Sequence, residues 1–224
     1  MHHNYIFFDL KDSIYSLNPV ELEKSKKEFI EIISKNKSVT TFSYDTTGLK
    51  YNSRFLLWFA SQEVTHIQDL LKELLRSDFG RHLNMTYTLF GMTKPSQYKR
   101  PSSSETQKPH DDSQAIKLSN PREKYLIIYP FTKTTSWHLL PYDERRRIMG
   151  DHVKTAHGFA PIKQLLLYAF GVDDHEFIVS YETESLSHFQ DLVMALRNTE
   201  GRGFTENDTP IYTCIYKPLS DILL

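Results

Sequence analysis

The chain has 224 residues with 28 Asp or Glu and 27 Lys or Arg, a formal net charge of -1. That balance supplies no field to draw it to nucleic acid or to an anionic membrane, and no uninterrupted apolar run approaches the roughly 20 residues a bilayer span needs. Cys214 is the single cysteine, which excludes an internal disulfide framework and a cysteine zinc site, and Met1 to Tyr5 lacks the basic and apolar regions of a signal peptide, so the expected compartment is the cytoplasm.

In chain order, Tyr5 to Leu10 is apolar and aromatic and predicts a strand. Pro19 to Ile33 carries Leu22, Phe29, Ile30 and Ile33 at helical spacing, with Asn18 as N-cap. Two β-rich runs follow, Val39 to Tyr44 and Ser53 to Ser61, parted by the turn-forming cluster Asp45 to Gly48. Ile67, Leu70, Leu71, Leu74 and Leu75 predict an amphipathic helix and Met85 to Met92 a strand, which completes a βαββαβ order. Lys99 to Ser113 is polar, interrupted by proline and without periodicity, as expected of a linker or loop.

The order then repeats: strand Tyr125 to Phe131, helix Pro141 to His157, strand Ile162 to Phe170, turn Gly171 to Asp174, strand Glu176 to Glu182, helix Leu186 to Arg197 and strand Ile211 to Tyr216. The chain therefore divides into a first module over 1–98, a linker over 99–118 and a second module over 119–224. Two antiparallel sheets with helices on one face bury their other faces best against each other. The expected class is α+β, with tandem ferredoxin-like βαββαβ modules forming a dimeric-type α+β barrel within one chain. Such a fold hosts unrelated activities, so function has to come from a site.

On the helix from Pro141 to His157, Met149, His152, Val153 and Ala156 fall at three- and four-residue intervals on one face, with Arg145 two turns before His152. His152 has two readings by itself: a core histidine bonded to a backbone carbonyl, or a neutral imidazole offered to an iron. Along the strand, alternation puts Tyr125, Ile127, Tyr129 and Phe131 on one face, with Lys133 beside them if the extended run survives Pro130. By themselves Tyr129 and Lys133 read as a tyrosine whose hydroxyl reaches water and a surface lysine.

Several motifs occur together in the second half. Tyr129-Pro-Phe131 with Lys133 and Trp137 precedes Leu139-Leu-Pro-Tyr-Asp-Glu-Arg-Arg146, then Met149 and His152. Phe170-Gly-Val-Asp-Asp-His-Glu-Phe177, Asp191 to Arg197 with Thr199-Glu200, and Asp208 to Thr213 follow, with Leu56-Leu-Trp58 and Pro95-Ser-Gln-Tyr98 in the first half. In this combination the chain resembles the chlorite dismutase-like family of haem proteins.

The resemblance implies that His152 is the proximal haem ligand and metal-binding residue, with His157 as a second choice on another side of the helix. Its other ring nitrogen would need a carboxylate or carbonyl partner, for which Glu176 and Glu182 are candidates. The distal position matches Gln164, with Leu165 as the alternative alignment, because the interval from His152 is one residue shorter than the family spacing. Chlorite-decomposing members carry an arginine there, and none occurs between Arg147 and Arg197. Family members with glutamine at this place are coproheme decarboxylases. By that likeness Tyr129 becomes the radical that takes hydrogen from a propionate, Lys133 assists at the second propionate, and both, with Gln164, are the expected catalytic residues.

Tyr98 sits in a Ser-x-Tyr pattern that resembles a propionate-contacting segment, and Lys117 stands where an arginine is expected, with Arg122 and Arg202 as other cations. Trp137 either packs near the haem or anchors the loop before the helix. The implied ligand is a tetrapyrrole, iron coproporphyrin as both substrate and cofactor, with hydrogen peroxide as oxidant, haem b as product and a homopentamer as assembly. The other readings are a haem-binding or sensing protein with weak peroxidase activity, a chlorite dismutase, and a haem-free barrel.

Overall fold

The computed structural model describes residues 1–95, 97–98 and 114–223, so the expected polar segment from Lys99 to Ser113 lies outside the described residues. The fold is α+β, and the chain divides into two units, Met1–Thr93 with Tyr212–Leu224, and Lys94–Ile211.

The first unit runs β1 (His2–Leu10), α1 (Pro19–Lys35), β2 (Thr40–Asp45), β3 (Phe55–Ser61), α2 (Val64–Arg76) and β4 (Leu83–Met92). Asn18 caps α1 as expected: its side chain accepts from the amides of Val20 and Glu21 at 3.0 and 2.9 Å, while Glu21 accepts from the Asn18 amide at 3.2 Å. β1 pairs antiparallel with β3 and β4, and β3 with β2, the strand order of a ferredoxin-like module. Having a neighbour on each side, β3 is buried along its whole length, and its sequence Phe-Leu-Leu-Trp-Phe-Ala-Ser is apolar almost throughout. Ile6, Phe8, Phe55, Leu57 and Phe59 of the sheet meet Phe29 of α1 and Ile67, Leu70 and Leu74 of α2 in a cluster of 14 fully buried side chains among the described residues.

The second unit runs β5 (Tyr125–Lys133), α3 (Thr135–Leu139), α4 (Tyr142–His157), β6 (Lys163–Tyr168), β7 (Phe177–Thr183), α5 (Leu186–Arg197) and β8 (Thr205–Asn207). β7 lies between β6 and β5, antiparallel to both, and the short β8 pairs with the end of β5 at Thr132 and Lys133. Gly171, at a φ of 67°, makes the turn after β6 in a region that favours glycine.

The structure departs from the sequence reading at the C-terminus. The strand expected from Ile211 to Tyr216 is β9 (Tyr212–Tyr216), and it belongs to the first unit, where Tyr44 faces Tyr216 and Asp45 faces Ile215. Lys217 secures that pairing through Asp45 Oδ2 at 2.6 Å, and α6 (Leu219–Ile222) follows against α1 and β2. Periodicity identifies such a strand but says nothing about which partner it finds.

Candidate functional site

β5 keeps its extended run through Pro130, as far as Lys133, so Tyr129, Phe131 and Lys133 come from one strand. Opposite it on β7 stand Val179 and Phe177, and beyond them on β6 stand Leu166 and Tyr168. These side chains share the face that packs on α4 and α5. Among the described residues its core has six buried side chains with nine partly buried around them, among them Tyr129, Phe131, Ala156, Phe159 and Leu166, against 14 and ten in the first unit. Phe131 and Leu166 are thus apolar side chains that the helices cover only in part.

On α4, Ala156 packs on that face, while Ile148 and His152, a turn apart, lie against Gly201. This corrects the expected stripe, since Val153 is 42% exposed and Ile148 is the fully buried residue. His157 ends the helix and is exposed, which leaves His152 as the histidine turned inward. Burial lowers the His152 pKa from its usual 6.5, helped by the charge of Lys133 and opposed by Asp151, so the ring is neutral at pH 7 with a lone pair to offer.

Among the described residues no protein group hydrogen-bonds the His152 ring. Gly201 lies beside it, and a Cβ built there would stand 3.7 Å from Nδ1. Nε2, on the far side of the ring, is then the atom turned away from Gly201. Neither expected carboxylate serves the ring. Glu176 accepts from the Lys133 amide at 2.8 Å and meets His138 Nε2 at 2.7 Å, and Glu182 pairs with Arg122 at 2.5 Å.

Lys133 is the second enclosed group. Its ammonium lies 4.8 Å from the centre of the Trp137 ring and within 3.4 and 3.5 Å of the Gly201 carbonyl and Thr205 Oγ1. Burial pulls its pKa down to about 8, with Glu176 opposing and Arg202 assisting. Trp137 is 2% exposed and packs against Phe204, and its helix α3 is capped by Thr134, so it anchors the loop. Its ring meets that of Tyr98 edge-on at 6.4 Å between centres, which brings Tyr98 into the same group of side chains. Burial raises the Tyr98 pKa, and the nearby Arg145 opposes this.

Tyr129 has its phenol pushed up to about 12 by burial, countered by the neighbouring Tyr181 phenol, with Asp208, Arg197 and Arg202 nearby. The structure thus gathers Tyr98, Tyr129, Lys133, Trp137 and His152 within one unit. Gln164 lies on the same face one rung away, opposite Tyr181, with an exposed side chain. Lys117 does not join them: it is exposed, and the contact it makes is through its carbonyl, which accepts from Arg122. Arg122 is committed to Glu182, and Arg202 reaches Asp208 at 3.2 Å.

Sequence reasoning missed Tyr181, Gly201 and the pinning role of Glu176. Alternation on β7 already put Tyr181 on the same face as Phe177, but its nearness to Tyr129 depends on strand register. Chemically, the group combines an unprotonated imidazole, an enclosed cation and a buried phenol.

A profile of the family described as chlorite dismutase matches residues 22–217. The chain belongs to the chlorite dismutase family. Within that family it is 25% identical, over 209 residues, to the coproheme decarboxylase of Mycolicibacterium smegmatis, an alignment that covers 90% of this chain and 86% of that protein. Among solved structures of the chlorite dismutase family, a mutant chlorite dismutase of Candidatus Nitrospira defluvii matches with a TM-score of 0.88 at 24% identity, over 99% of this chain and 93% of that one. The chlorite dismutase of that organism in complex with imidazole matches with a TM-score of 0.87 at the same identity and coverage. These two structures bear on the fold alone. No helix among the described residues is long and apolar enough to cross a membrane.

Proposed function

We propose that this chain binds a haem-type tetrapyrrole in the second unit and acts as a peroxide-dependent coproheme decarboxylase, converting iron coproporphyrin to haem b. The observation that carries the reading is the grouping of Tyr129, Lys133 and His152 around an incompletely covered apolar face, with glutamine rather than arginine at the distal position. The residues fit such a ligand: His152 has an uncommitted ring, and the partly buried Phe131 and Leu166 offer apolar contact. When bound, the iron centre supplies the redox chemistry with peroxide.

The protein's part follows from its side chains. His152 would hold the iron through its ring nitrogen, kept neutral by burial. Lys133, in reach of Trp137 and Gly201, holds a propionate carboxylate by charge. Tyr129 gives up an electron and its hydroxyl proton, then recovers both as a hydrogen atom from the propionate arm. Each arm consumes one peroxide and one proton and yields a vinyl group, carbon dioxide and two waters. Gln164 carries no charge to hold an oxyanion, which disfavours chlorite as substrate. The reading includes a homopentamer working in the cytoplasm, and sedimentation would reveal the ring size.

The test adds iron coproporphyrin and then peroxide, and follows loss of carboxyl mass from the porphyrin. The wild type yields divinyl product, Tyr129→Phe binds without turnover, and His152→Ala loses the histidine-ligated absorption spectrum. Tight binding by wild type without vinyl product would reduce the assignment to a haem-binding or sensing protein. Oxygen release from chlorite would make it a dismutase.

A further inference from the structure

Tyr181 stands on β7 directly opposite Ile127 of β5 and Gln164 of β6, while the residue opposite Tyr129 is Val179. Tyr181 is therefore the diagonal neighbour of Tyr129 on the same face, within reach of a long aromatic side chain. Their ring centres lie 6.2 Å apart with planes 27° from parallel, so the two phenols are neighbours in the core and each bears on the other's ionisation.

The surroundings make the Tyr181 hydroxyl hard to explain as packing. Tyr181 is 5% exposed, lies among Ile127, Ile162, Val179 and Leu192, and has Phe189 at 5.2 Å between ring centres. A phenylalanine would fill this space without the penalty of burying an oxygen. Among the described residues, the Tyr129 phenol is the polar group that acts on this hydroxyl.

We propose that Tyr181 is a positioning residue for Tyr129, donating to its phenol oxygen at rest and to its phenoxyl oxygen once Tyr129 is oxidised. The inference rests on the relay reading of Tyr129 given above. In the oxidation the O–H bond of Tyr129 breaks, and its electron and proton are consumed in reducing peroxide to water. The O–H bond of Tyr181 stays intact throughout. With one side of the Tyr129 oxygen occupied by this donor, the other would be left for the propionate arm, from which Tyr129 would take a hydrogen atom to restore its own O–H bond. Asp208, Arg197 and Arg202 are the charges that face the same phenol, and none of them replaces the donor.

Two measurements test the idea, the first on the ligand-free chain. With tyrosine labelled with ¹³C at Cζ, Tyr181→Phe should move the Tyr129 resonance at neutral pH, because the ring is kept and only the donor is lost. Tyr129→Phe should move the Tyr181 resonance in return, which keeps the test open if either variant folds poorly. Unmoved resonances would overturn the hydrogen bond.

The second measurement freezes the iron coproporphyrin-loaded protein after peroxide and examines the radical by electron–nuclear double resonance after exchange into deuterium oxide. Wild type should show a Tyr129 radical coupled to one exchangeable hydrogen. Tyr181→Phe should keep the radical, lose the coupling and lower kcat roughly tenfold at unchanged KM, as expected for one lost hydrogen bond. An unchanged coupling or unchanged kcat would overturn the positioning role while leaving the relay intact. A wild type without any Tyr129-dependent radical would sink the relay itself, and the positioning role with it, even if the resonances had moved.

Discussion

Replacing Glu182 by Gln removes half of a buried ion pair. Arg122 and Glu182 have side chains 0% and 3% exposed and meet at 2.5 Å, and the Lys117 carbonyl accepts from the same guanidinium. Nearby Lys163 pairs with Glu123, whose pKa is lowered mainly by that lysine, so two cations and two anions tie residues 122–123 to β6 and β7. Leaving a guanidinium buried without its carboxylate costs about 3–5 kcal/mol, and a chain of this length loses about 2–4 °C per kcal/mol, so Tm falls by roughly 6–20 °C. Differential scanning calorimetry of the ligand-free chain measures it.

The double variant Arg122→Met with Glu182→Leu should recover most of the loss, because apolar replacement of a whole buried pair is often neutral or better. Amide exchange should tell the same story locally: the Ile116 amide, which donates to the Gln164 carbonyl at 3.1 Å, should exchange faster in Glu182→Gln. A Glu182→Gln variant within about 2 °C of wild type, or a double variant as unstable as the single one, would refute the reasoning.

Asn18→Ala, which removes the side-chain half of the α1 capping box, should cost about 1 kcal/mol in urea denaturation and leave tetrapyrrole titration unchanged. Lys133 has its pKa depressed from 10.5 to about 8 by burial, so between those values the unfolded chain holds more protons and stability rises with pH. Lys133→Met should therefore show its largest advantage in Tm below pH 8, narrowing toward pH 10.5; a constant difference would contradict the burial of the ammonium. Gly201→Ala should be tolerated, its Cβ meeting Ile148 and the His152 ring at ordinary distances of 3.6 and 3.7 Å, whereas Gly201→Leu should fold but fail to take up iron coproporphyrin in an absorbance titration. His152, whose pKa is lowered from 6.5, contributes to a loss of stability as pH falls below that value, and His152→Ala should flatten that part of the Tm profile.

Much of this molecule is legible in the order of its residues. Alternation identified the strand bearing Tyr129, helical spacing turned His152 inward, and Asn18 with Glu21 marked the start of α1, because each of these depends on neighbours a few positions apart. The motifs around Tyr129, Trp137 and His152 carried the family for the same reason. Val153 shows the limit of a local pattern: spacing placed it on the inner stripe, and packing rotated the stripe by a fraction of a turn toward Ile148.

Tertiary structure decided what depends on register and partner choice. Glu176 and Glu182 were equivalent candidates for a histidine partner until the fold gave one to Lys133 and His138 and the other to Arg122. Lys117 kept its charge in solvent, Gly201 came to lie against His152, and β9 joined β2 in the first unit. The Tyr129 and Tyr181 pair exists because β5 and β7 meet with Ile127 opposite Tyr181; a slip of one residue would send one phenol to the other face of the sheet. Sequence sets which way each side chain points along its own element, but the free energy that chooses which elements meet, and at what offset, belongs to the packed whole.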